Sequence, residues 1–425
     1  MATHLKGRNV LYAQSGGVTA VINASACGVI ETARKQKETF GRIFAGENGI
    51  LGVLNERLID TSIEPAEAIS GLRHTPAGAF GSCRFKMGTP SQKPELYQRL
   101  LEVFKAHNIG YFFYNGGGDS QDTTNQLAQY CEENNFPLTC IGIPKTIDND
   151  LPITDSCPGF GSVAKYVATS VMEASLDVAS MAKTSTKVFI LEVMGRHAGW
   201  IAASGALAAR QSGDAPHIIL FPERPFLKSE FTKKVKECVN LYGFCSIVVS
   251  EGIRNADGNF VSEQGIKDAF GHAQLGGVAP NIANIIQSEL GFKYHWAVAD
   301  YLQRSARHIA SRTDVEHAYE VGAAAVSYAK TGKNAIMPII IRTQDNPYKW
   351  AIGETQLNKV ANIEKTLPSN FISKDGFGVT EDCIQYLRPL ISGEDYPPYV
   401  DGVPNYVSLK KQFEPRKLTD DFAIE

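Results

Sequence analysis

The sequence predicts an α/β protein with mostly parallel sheets and helices on both faces. Two observations predict this fold class. Short apolar runs with strand character alternate with helical stretches along most of the 425 residues, and a glycine-rich or charged loop follows most of the apolar runs. This alternation is typical of parallel sheets, because a parallel connection has to cross back over the sheet, usually as a helix.

The elements of this pattern can be located in order along the chain. The strand-like runs span residues 9–14, 109–114, 138–143, 187–193, 245–250 and 335–341. The helical patterns span residues 19–34, 121–130, 197–209 and 305–330. Polar loops stand at the carboxyl ends of the strands, where open α/β sheets bind their ligands. We therefore expect the functional residues to come from these loops.

Three units are expected from the order of the elements. Residues 1–155 and 156–345 are predicted to form two Rossmann-like α/β domains. Residues 346–425 are predicted to form a C-terminal extension, because Pro, Gly and acidic residues become frequent there, as in the segment 391–398. We expect this extension to pack on the body of the protein and to carry little chemistry.

Composition argues against several classes of function. Hydrophobic residues make up 43% of the chain and charged residues 20%, as in ordinary globular proteins. The net charge of −3 gives no basic surplus for nucleic acid, and no apolar run approaches the ~20 residues that cross a membrane. The eight cysteines contain no Cys-x-x-Cys pair, which favours reduced thiols in a cytoplasmic protein over a zinc site.

The most informative loop is residues 144–150, with the sequence Pro-Lys-Thr-Ile-Asp-Asn-Asp. It follows the strand-like run 138–143 and contains Lys145, Asp148 and Asp150. The two carboxylates suit a general base or a metal ligand, and the lysine suits an anion. The alternative is a solvated acidic turn, because Asp and Asn also stabilise turns through local hydrogen bonds.

Two glycine-rich loops predict a phosphate site. Residues 15–17 and 116–120 each follow a strand and precede a helix, so that backbone N–H groups and the helix N-terminus face an anion. Neither loop matches the standard phosphate-loop or dinucleotide pattern. Ordinary strand-to-helix turns are the alternative.

Arginines at the ends of elements extend this prediction. Arg196 follows a strand and Arg304 lies near the start of a helix, and both carry the fork-shaped cation that suits phosphate oxygens. A single arginine more often pairs with a surface carboxylate. Two of them, together with Arg84, Lys145 and the glycine loops, predict phosphate binding at two positions.

Five separated motifs resemble the phosphofructokinase family and occur in its order, accompanied by a segment around Arg84. The motifs are Ser-Gly-Gly at 15–17, Gly-Gly-Gly-Asp-Ser at 116–120, Pro-Lys-Thr-Ile-Asp-Asn-Asp at 144–150, Met-Gly-Arg at 194–196 and Tyr-Leu-Gln-Arg at 301–304. With the flanking strands, the resemblance covers residues 9–345. Within the family the chain resembles the pyrophosphate-dependent branch, because Asp119 and Lys145 stand where ATP-dependent members have glycine.

The resemblance implies a reversible phosphoryl transfer from pyrophosphate to the 1-hydroxyl of fructose 6-phosphate, with Mg²⁺ as cofactor. It implies that Asp148 is the general base and that Asp119 and Lys145 are further catalytic residues. The implied pyrophosphate-binding residues are Gly16, Gly17, Arg84, Gly117, Gly118 and Ser120. The implied substrate-binding residues are Thr146, Ile147, Asp148, Met194, Gly195, Arg196, Glu251, Tyr301, Leu302, Gln303 and Arg304. The implied metal ligands are Asp119, Asp148 and Asp150, since Gly118 replaces the family's usual aspartate.

The resemblance also bears on assembly and on two alternative functions. Lys187 matches a basic position that reaches the neighbouring subunit's sugar phosphate in short bacterial relatives, or else it only opens a strand. His295 stands where many relatives have an arginine on the sugar phosphate. A homodimer is expected, with a tetramer as the alternative. The alternative functions are an ATP-dependent 6-phosphofructokinase and a catalytically silent sugar-phosphate-binding subunit, although a silent subunit is expected to lose the base and Asp148 is present.

Overall fold

The computed structural model describes residues 5–261, 263–267, 273–275, 277–419 and 422. Its strands are β1 Asn9–Gln14, β2 Ile43–Gly46, β3 Leu58–Asp60, β4 Ile109–Gly116, β5 Thr139–Pro144, β6 Val188–Val193, β7 Ile218–Leu220, β8 Cys245–Ser250, β9 Glu263–Lys267, β10 Ala273–Leu275, β11 Tyr294–Val298, β12 Ile336–Gln344, β13 Lys349–Gln356, β14 Tyr399–Val400 and β15 Val403–Pro404. Its helices are α1 Ile22–Arg34, α2 Ile50–Leu54, α3 Ala66–Gly71, α4 Pro94–Ala106, α5 Gly118–Glu133, α6 Phe160–Met181, α7 Trp200–Ser204, α8 Lys228–Tyr242, α9 Val278–Leu290, α10 Asp300–Ser305, α11 Arg312–Lys330 and α12 Glu381–Leu387.

The larger sheet has seven strands in the order β13-β12-β5-β4-β1-β2-β3. Its central strands are parallel, whereas β3 and β13 at the two edges are antiparallel to their neighbours. Every residue of β4 and β5 is buried, because helices cover both faces. Tyr111 and Phe113 pack on one face with α1 and α11, and Phe112 and Tyr114 pack on the other with α4 and α5.

The smaller sheet has four parallel strands in the order β11-β6-β8-β7. Leu191 and Val248 pack against α6 and α7 on one face, and Ile190 and Ile247 pack against α8 and α9 on the other. The strand β11 forms an open edge with mostly exposed side chains. The prediction of an α/β fold with mostly parallel sheets and helices on both faces is confirmed.

The chain returns to the larger sheet after α10. The helix α11 packs so closely on α1 that a methyl group at Gly322 would lie 2.2 Å from the carbonyl oxygen of Ser25. The strand β12 then pairs with β5, and β13 pairs with β12. The sequence alone placed this strand among residues 156–345, whereas it joins the sheet of the first unit, because periodicity within a strand does not say which sheet the strand joins. The division into units 1–155, 156–345 and 346–425 stays a prediction.

Two predicted helices are shorter than expected. The stretch 197–209 contains only α7 and a 3₁₀ turn at Gly205–Ala208, since Gly199 and Gly205 weaken a continuous helix. The helix α11 begins at Arg312, because the Ser311 side chain caps it by accepting a hydrogen bond from the Asp314 N–H. No helix in the described part of the chain is long and apolar enough to span a membrane.

The C-terminal extension packs along the larger sheet. The Asp60 N–H donates to the carbonyl oxygen of Gln412. The buried Glu56 carboxylate accepts hydrogen bonds from the N–H groups of Lys417 (2.8 Å) and Leu418 (3.1 Å). These contacts hold the segment 412–418 against the body of the protein.

Candidate active site

A cavity of about 740 Å³ lies where the carboxyl ends of β1, β4 and β5 face those of β6 and β8. Parallel strands that end at the same edge bring their loops together. The predicted site residues that line the cavity are Gly16, Gly17, Arg84, Gly117, Gly118, Asp119, Ser120, Lys145, Thr146, Ile147, Asp148, Asp150, Met194, Arg196, Glu251, Tyr301, Gln303 and Arg304. Gly195 and Leu302 lie next to this set and do not line the cavity.

The loop 144–150, called the catalytic loop below, carries two carboxylates into the cavity. The Thr146 hydroxyl accepts a hydrogen bond of 3.0 Å from the Asp148 N–H. Burial, together with the nearby carboxylates of Asp150 and Glu251, raises the pKa of Asp148 to about 7. A carboxylate with a pKa near neutrality is well suited to take a proton from a hydroxyl group at neutral pH. This geometry does not fit a solvated acidic turn.

Lys145 connects the catalytic loop to the first glycine loop. Its side chain is only 4% exposed, and its ammonium group donates a hydrogen bond of 2.6 Å to the carbonyl oxygen of Gly17. Burial, and then the positive charge of Arg304, lowers the pKa of Lys145 to about 8. A cation with so little water around it interacts strongly with a bound anion.

The two glycine loops leave room for an anion. Gly16 has a φ of +73°, and a methyl group there would lie 3.3 Å from the Lys145 ammonium nitrogen. A methyl group at Gly118 would meet no atom within 4 Å. The helix α5 begins at Gly118 and lies with its N-terminus at the cavity, so the positive end of its dipole favours phosphate oxygens.

Asp119 lies in the first turn of α5 and lines the cavity. Its side chain is 37% exposed, and its carboxylate is 3.9 Å from the ammonium group of Lys86. No side chain caps α5, which Gly117 precedes. The simple explanation that Asp119 is a helix cap is therefore not what the structure shows.

The second sheet supplies the opposite wall of the cavity. Met194 and Arg196 follow β6, and Glu251 follows β8. Burial raises the pKa of Glu251 to about 7, although the guanidinium group of Arg196 acts in the opposite direction. The buried Gln303 accepts a hydrogen bond of 3.2 Å from the Met194 N–H, which fixes the loop after β6. Such a mixture of a cation and acceptors suits a hydroxylated anion.

Gly195 and Leu302 have other surroundings. Gly195 is buried with a φ of +123°, and its carbonyl oxygen accepts a hydrogen bond of 2.6 Å from the Ser250 hydroxyl. Gly195 therefore forms the turn from which the Arg196 side chain enters the cavity lining. The Leu302 side chain is 65% exposed at the protein surface.

Arg304 lies nearer the first glycine loop than the sequence indicated. Its guanidinium group stacks on the Tyr301 ring at 3.8 Å. A methyl group at Gly17 would come within 2.7 Å of Arg304 and 3.6 Å of Arg84. Sequence reasoning assigned Arg304 to the sugar phosphate alone, whereas its guanidinium group stands beside residues predicted to hold the donor.

The cavity also contains residues that sequence reasoning missed. The His197 ring pairs through Nδ1 with the Glu364 carboxylate at 3.0 Å, and both residues line the cavity. His197 could have been found because it directly follows Arg196. Glu364 had no local signal, since it lies in the extension that we expected to carry little chemistry.

The carboxylates fit a metal ion that is held mainly by phosphate oxygens. Within the described residues, no group of three or more His, Cys, Asp and Glu side chains could hold a metal ion by itself. Asp150 Oδ1 is buried without a hydrogen-bond partner among the described residues, so it is left available as a ligand. Magnesium commonly uses one or two carboxylates together with substrate phosphates. Asp148 and Asp150 could supply these carboxylates.

Comparison with known proteins agrees with this geometry. A family model described as Phosphofructokinase matches residues 9–329. A Methylococcus capsulatus protein named pyrophosphate--fructose 6-phosphate 1-phosphotransferase is 61% identical over 420 residues, which cover 99% of this chain and 100% of that protein. A crystal structure of a pyrophosphate-dependent phosphofructokinase from Nitrosospira multiformis is 58% identical, with a TM-score of 0.91, and the match covers 98% of this chain and 100% of that one. A Marinobacter aquaeolei structure with the same description is 57% identical, with a TM-score of 0.90 and the same coverage.

Proposed function

The chain belongs to the phosphofructokinase family, and we propose that it transfers a phosphoryl group reversibly from pyrophosphate to the 1-hydroxyl of fructose 6-phosphate. The products are fructose 1,6-bisphosphate and phosphate. The observation that carries this proposal is the half-buried Asp148, whose pKa is raised to about 7 and which shares one cavity with the two glycine loops and Arg196. The names of the full-length relatives support it.

The proposed reaction needs a base, alignment and positive charge. Asp148 takes the proton of the 1-hydroxyl, whose oxygen attacks the nearer phosphorus of pyrophosphate, and the bridging P–O bond breaks to release phosphate. Lys145 and Arg84 lie at the cavity wall where charge on the phosphate groups is neutralised. Phosphoryl transfer depends mainly on such positioning and electrostatic stabilisation. Because an anhydride is exchanged for an ester, we expect both directions to be usable.

Magnesium is proposed to enter with pyrophosphate. Asp148 and Asp150 would hold the ion from the catalytic loop, since Asp150 Oδ1 has no hydrogen-bond partner among the described residues, and Asp119 would reach it from α5. The bound ion would neutralise charge on the phosphate oxygens. Gly118, at the position where the family usually has an aspartate, leaves open space for a larger ion–pyrophosphate unit.

We also propose a homodimer that forms through the open edge of the smaller sheet. Trp296 and Val298 of β11 are 45% and 39% exposed, and Tyr301 is 60% exposed beside them. An uncovered edge strand with apolar side chains is a ready surface for another chain. Val298 and Tyr301 also line the cavity, so a second copy seated there would lie beside the sugar end. Sedimentation of Trp296→Glu is expected to give a monomer where the wild-type protein gives a dimer.

We propose a cytoplasmic location, which the state of the thiols supports. All eight cysteines are buried and free, which supports the proposal of a reducing, cytoplasmic location.

The partners that we propose are the two small phosphorylated substrates and a second copy of the chain. Nucleic acid is not among them, because the net charge of −3 offers no attraction for it.

The test is an assay of the purified protein with fructose 6-phosphate and Mg²⁺, with pyrophosphate and ATP as separate donors. Turnover with pyrophosphate and little or none with ATP is expected. Turnover with ATP alone would instead assign an ATP-dependent 6-phosphofructokinase. Binding of the sugar phosphate without turnover on either donor would assign a silent regulatory subunit.

A further inference from the structure

Residues of the C-terminal extension form hydrogen bonds with the catalytic loop. Asn149, next to Asp148, is fully buried and has a φ of +54°, a left-handed conformation that is uncommon outside glycine but that asparagine adopts more readily than most residues. Its Nδ2 group donates a hydrogen bond of 3.0 Å to the hydroxyl of Tyr386. Its Oδ1 atom accepts one of 3.0 Å from the N–H of Cys157. The left-handed residue of the loop therefore depends on a hydroxyl group of α12.

The Tyr386 hydroxyl is itself held in place. It donates a hydrogen bond of 2.5 Å to the carbonyl oxygen of Asp155. Its ring packs against Trp200 and Phe371, with ring centroids 5.2 and 5.7 Å apart. The Arg342 guanidinium group lies 4.7 Å from the ring centroid and also pairs with Asp155. A side chain fixed on every side gives Asn149 a partner at a defined position.

A second residue of the extension holds the end of the same loop. The Lys365 N–H donates a hydrogen bond of 2.6 Å to the carbonyl oxygen of Asp150. The Lys365 ammonium group donates to the carbonyl oxygens of Thr154 and Asp155, both at 3.0 Å. The Lys365 carbonyl oxygen accepts a hydrogen bond of 3.1 Å from the indole N–H of Trp200. The extension thus contacts the loop at its left-handed residue, through Tyr386, and at the next residue, through Lys365.

We propose that Tyr386 and Lys365 are positioning residues, which hold Asp148 in the orientation that takes the proton from the 1-hydroxyl. This role presupposes the function proposed above. Both residues lie beyond residue 329, where the match to the family ends, and neither lines the cavity. They act through the backbone of the loop, and a displacement of about 1 Å at a reacting group can lower a rate about 100-fold.

The test compares Tyr386→Phe with Tyr348→Phe in the full chain. Tyr386→Phe keeps the ring packing and removes the partner of Asn149, so kcat is expected to fall about 10- to 100-fold. The KM values for both substrates are expected to stay within about twofold, because no ligand contact is removed. Tyr348 also has a ring beside Arg342 (4.9 Å), but its hydroxyl contacts His317 (3.3 Å) away from the catalytic loop. Tyr348→Phe is expected to keep the wild-type kcat.

Lys365→Met provides a second test. It keeps the backbone hydrogen bond to Asp150 but removes the ammonium group from the carbonyl oxygen of Asp155, which is the acceptor that fixes the Tyr386 hydroxyl. It is expected to lower kcat in the same way, and it decides the matter if Tyr386→Phe does not fold. Each rate is divided by the folded fraction from circular dichroism. A wild-type kcat per folded molecule in both variants overturns the inference, as does an equal loss in Tyr348→Phe or a change in KM alone. A wild-type protein that is inactive with pyrophosphate overturns the proposed function, and this role with it.

Discussion

Lys145 donates a hydrogen bond of 2.6 Å from its ammonium group to the carbonyl oxygen of Gly17. This contact joins the loop after β5 to the loop after β1, two segments that are 128 residues apart in the sequence. Asp148 lies three residues further along the same loop and lines the same cavity. One short loop therefore brings a cation and a carboxylate into the same cavity, as the proposed roles of Lys145 at the donor and Asp148 at the acceptor require.

Removal of the base gives the first prediction. Asp148→Asn keeps the size of the side chain but cannot accept a proton, so turnover is expected to fall by about 10²–10⁴. Binding of fructose 6-phosphate, measured by calorimetry, is expected to persist, because the cations that hold its phosphate remain. Near-normal turnover in the purified variant would place the base on another residue.

The pH dependence gives the second prediction. Asp148 must be deprotonated to act, and its pKa is raised to about 7, so kcat/KM for fructose 6-phosphate is expected to rise as the pH passes upward through about 7. Lys145 must be protonated to attract pyrophosphate, and its pKa is lowered to about 8. The value of kcat/KM for pyrophosphate is therefore expected to fall above about pH 8. Profiles that are flat for both substrates between about pH 6 and 9 would contradict both assignments.

The position of Arg304 gives the third prediction. Its guanidinium group stands beside Gly17 and Arg84 as well as on Tyr301, so we expect Arg304→Ala to raise the KM of both substrates about tenfold, the usual size of a lost charged hydrogen bond. Arg196→Ala is the matched control, because Arg196 follows β6 beside Glu251. This control is expected to raise the KM of fructose 6-phosphate alone. If Arg304→Ala also changed only the sugar KM, the original assignment from the sequence would stand.

The sequence could predict the strands and their loops because each rests on local information. The runs that form β1, β4, β5, β6 and β8 are apolar, and each is followed by a loop that lines the cavity. Sequence position could not predict that β12 and β13 join the larger sheet. That choice depends on the packing of α11 on α1, which brings together residues about 300 positions apart.

The site could be predicted only where its residues form motifs. Asp148 and Lys145 belong to one dense loop, whereas Tyr386 and Lys365 reach that loop from a segment without any motif. Their contacts use a hydroxyl, an amide and backbone carbonyl groups, which are common to every sequence and carry no local signal. The expectation that the extension carries little chemistry therefore stays a prediction, against which stand Glu364 in the cavity lining and the role proposed for Tyr386 and Lys365.

Donor selection gives the fourth prediction, and it depends on Asp119. The carboxylate lines the donor end of the cavity, is 37% exposed and caps no helix. We expect Asp119 to place bulk and negative charge where ATP would have its α-phosphate, and like charges repel strongly where water is scarce. Pyrophosphate has no third phosphate and would avoid this contact. On this hypothesis, donor specificity combines rejection of ATP by Asp119 with attraction of pyrophosphate by Lys145.

Asp119→Gly is therefore expected to give detectable turnover with ATP. The double variant, Asp119→Gly with Lys145→Gly, is also expected to lose most of its turnover with pyrophosphate, because the buried cation beside Gly17 is lost. Asp122→Gly is the matched control, since Asp122 is a half-buried aspartate of α5 that does not line the cavity. It introduces the same helix-weakening glycine, which costs about 1 kcal/mol in a helix interior, without opening the donor site. Initial rates with each donor separate the two effects, because a loss of stability alone lowers both rates together. A double variant that kept its pyrophosphate rate and still refused ATP would show that these two residues do not select the donor.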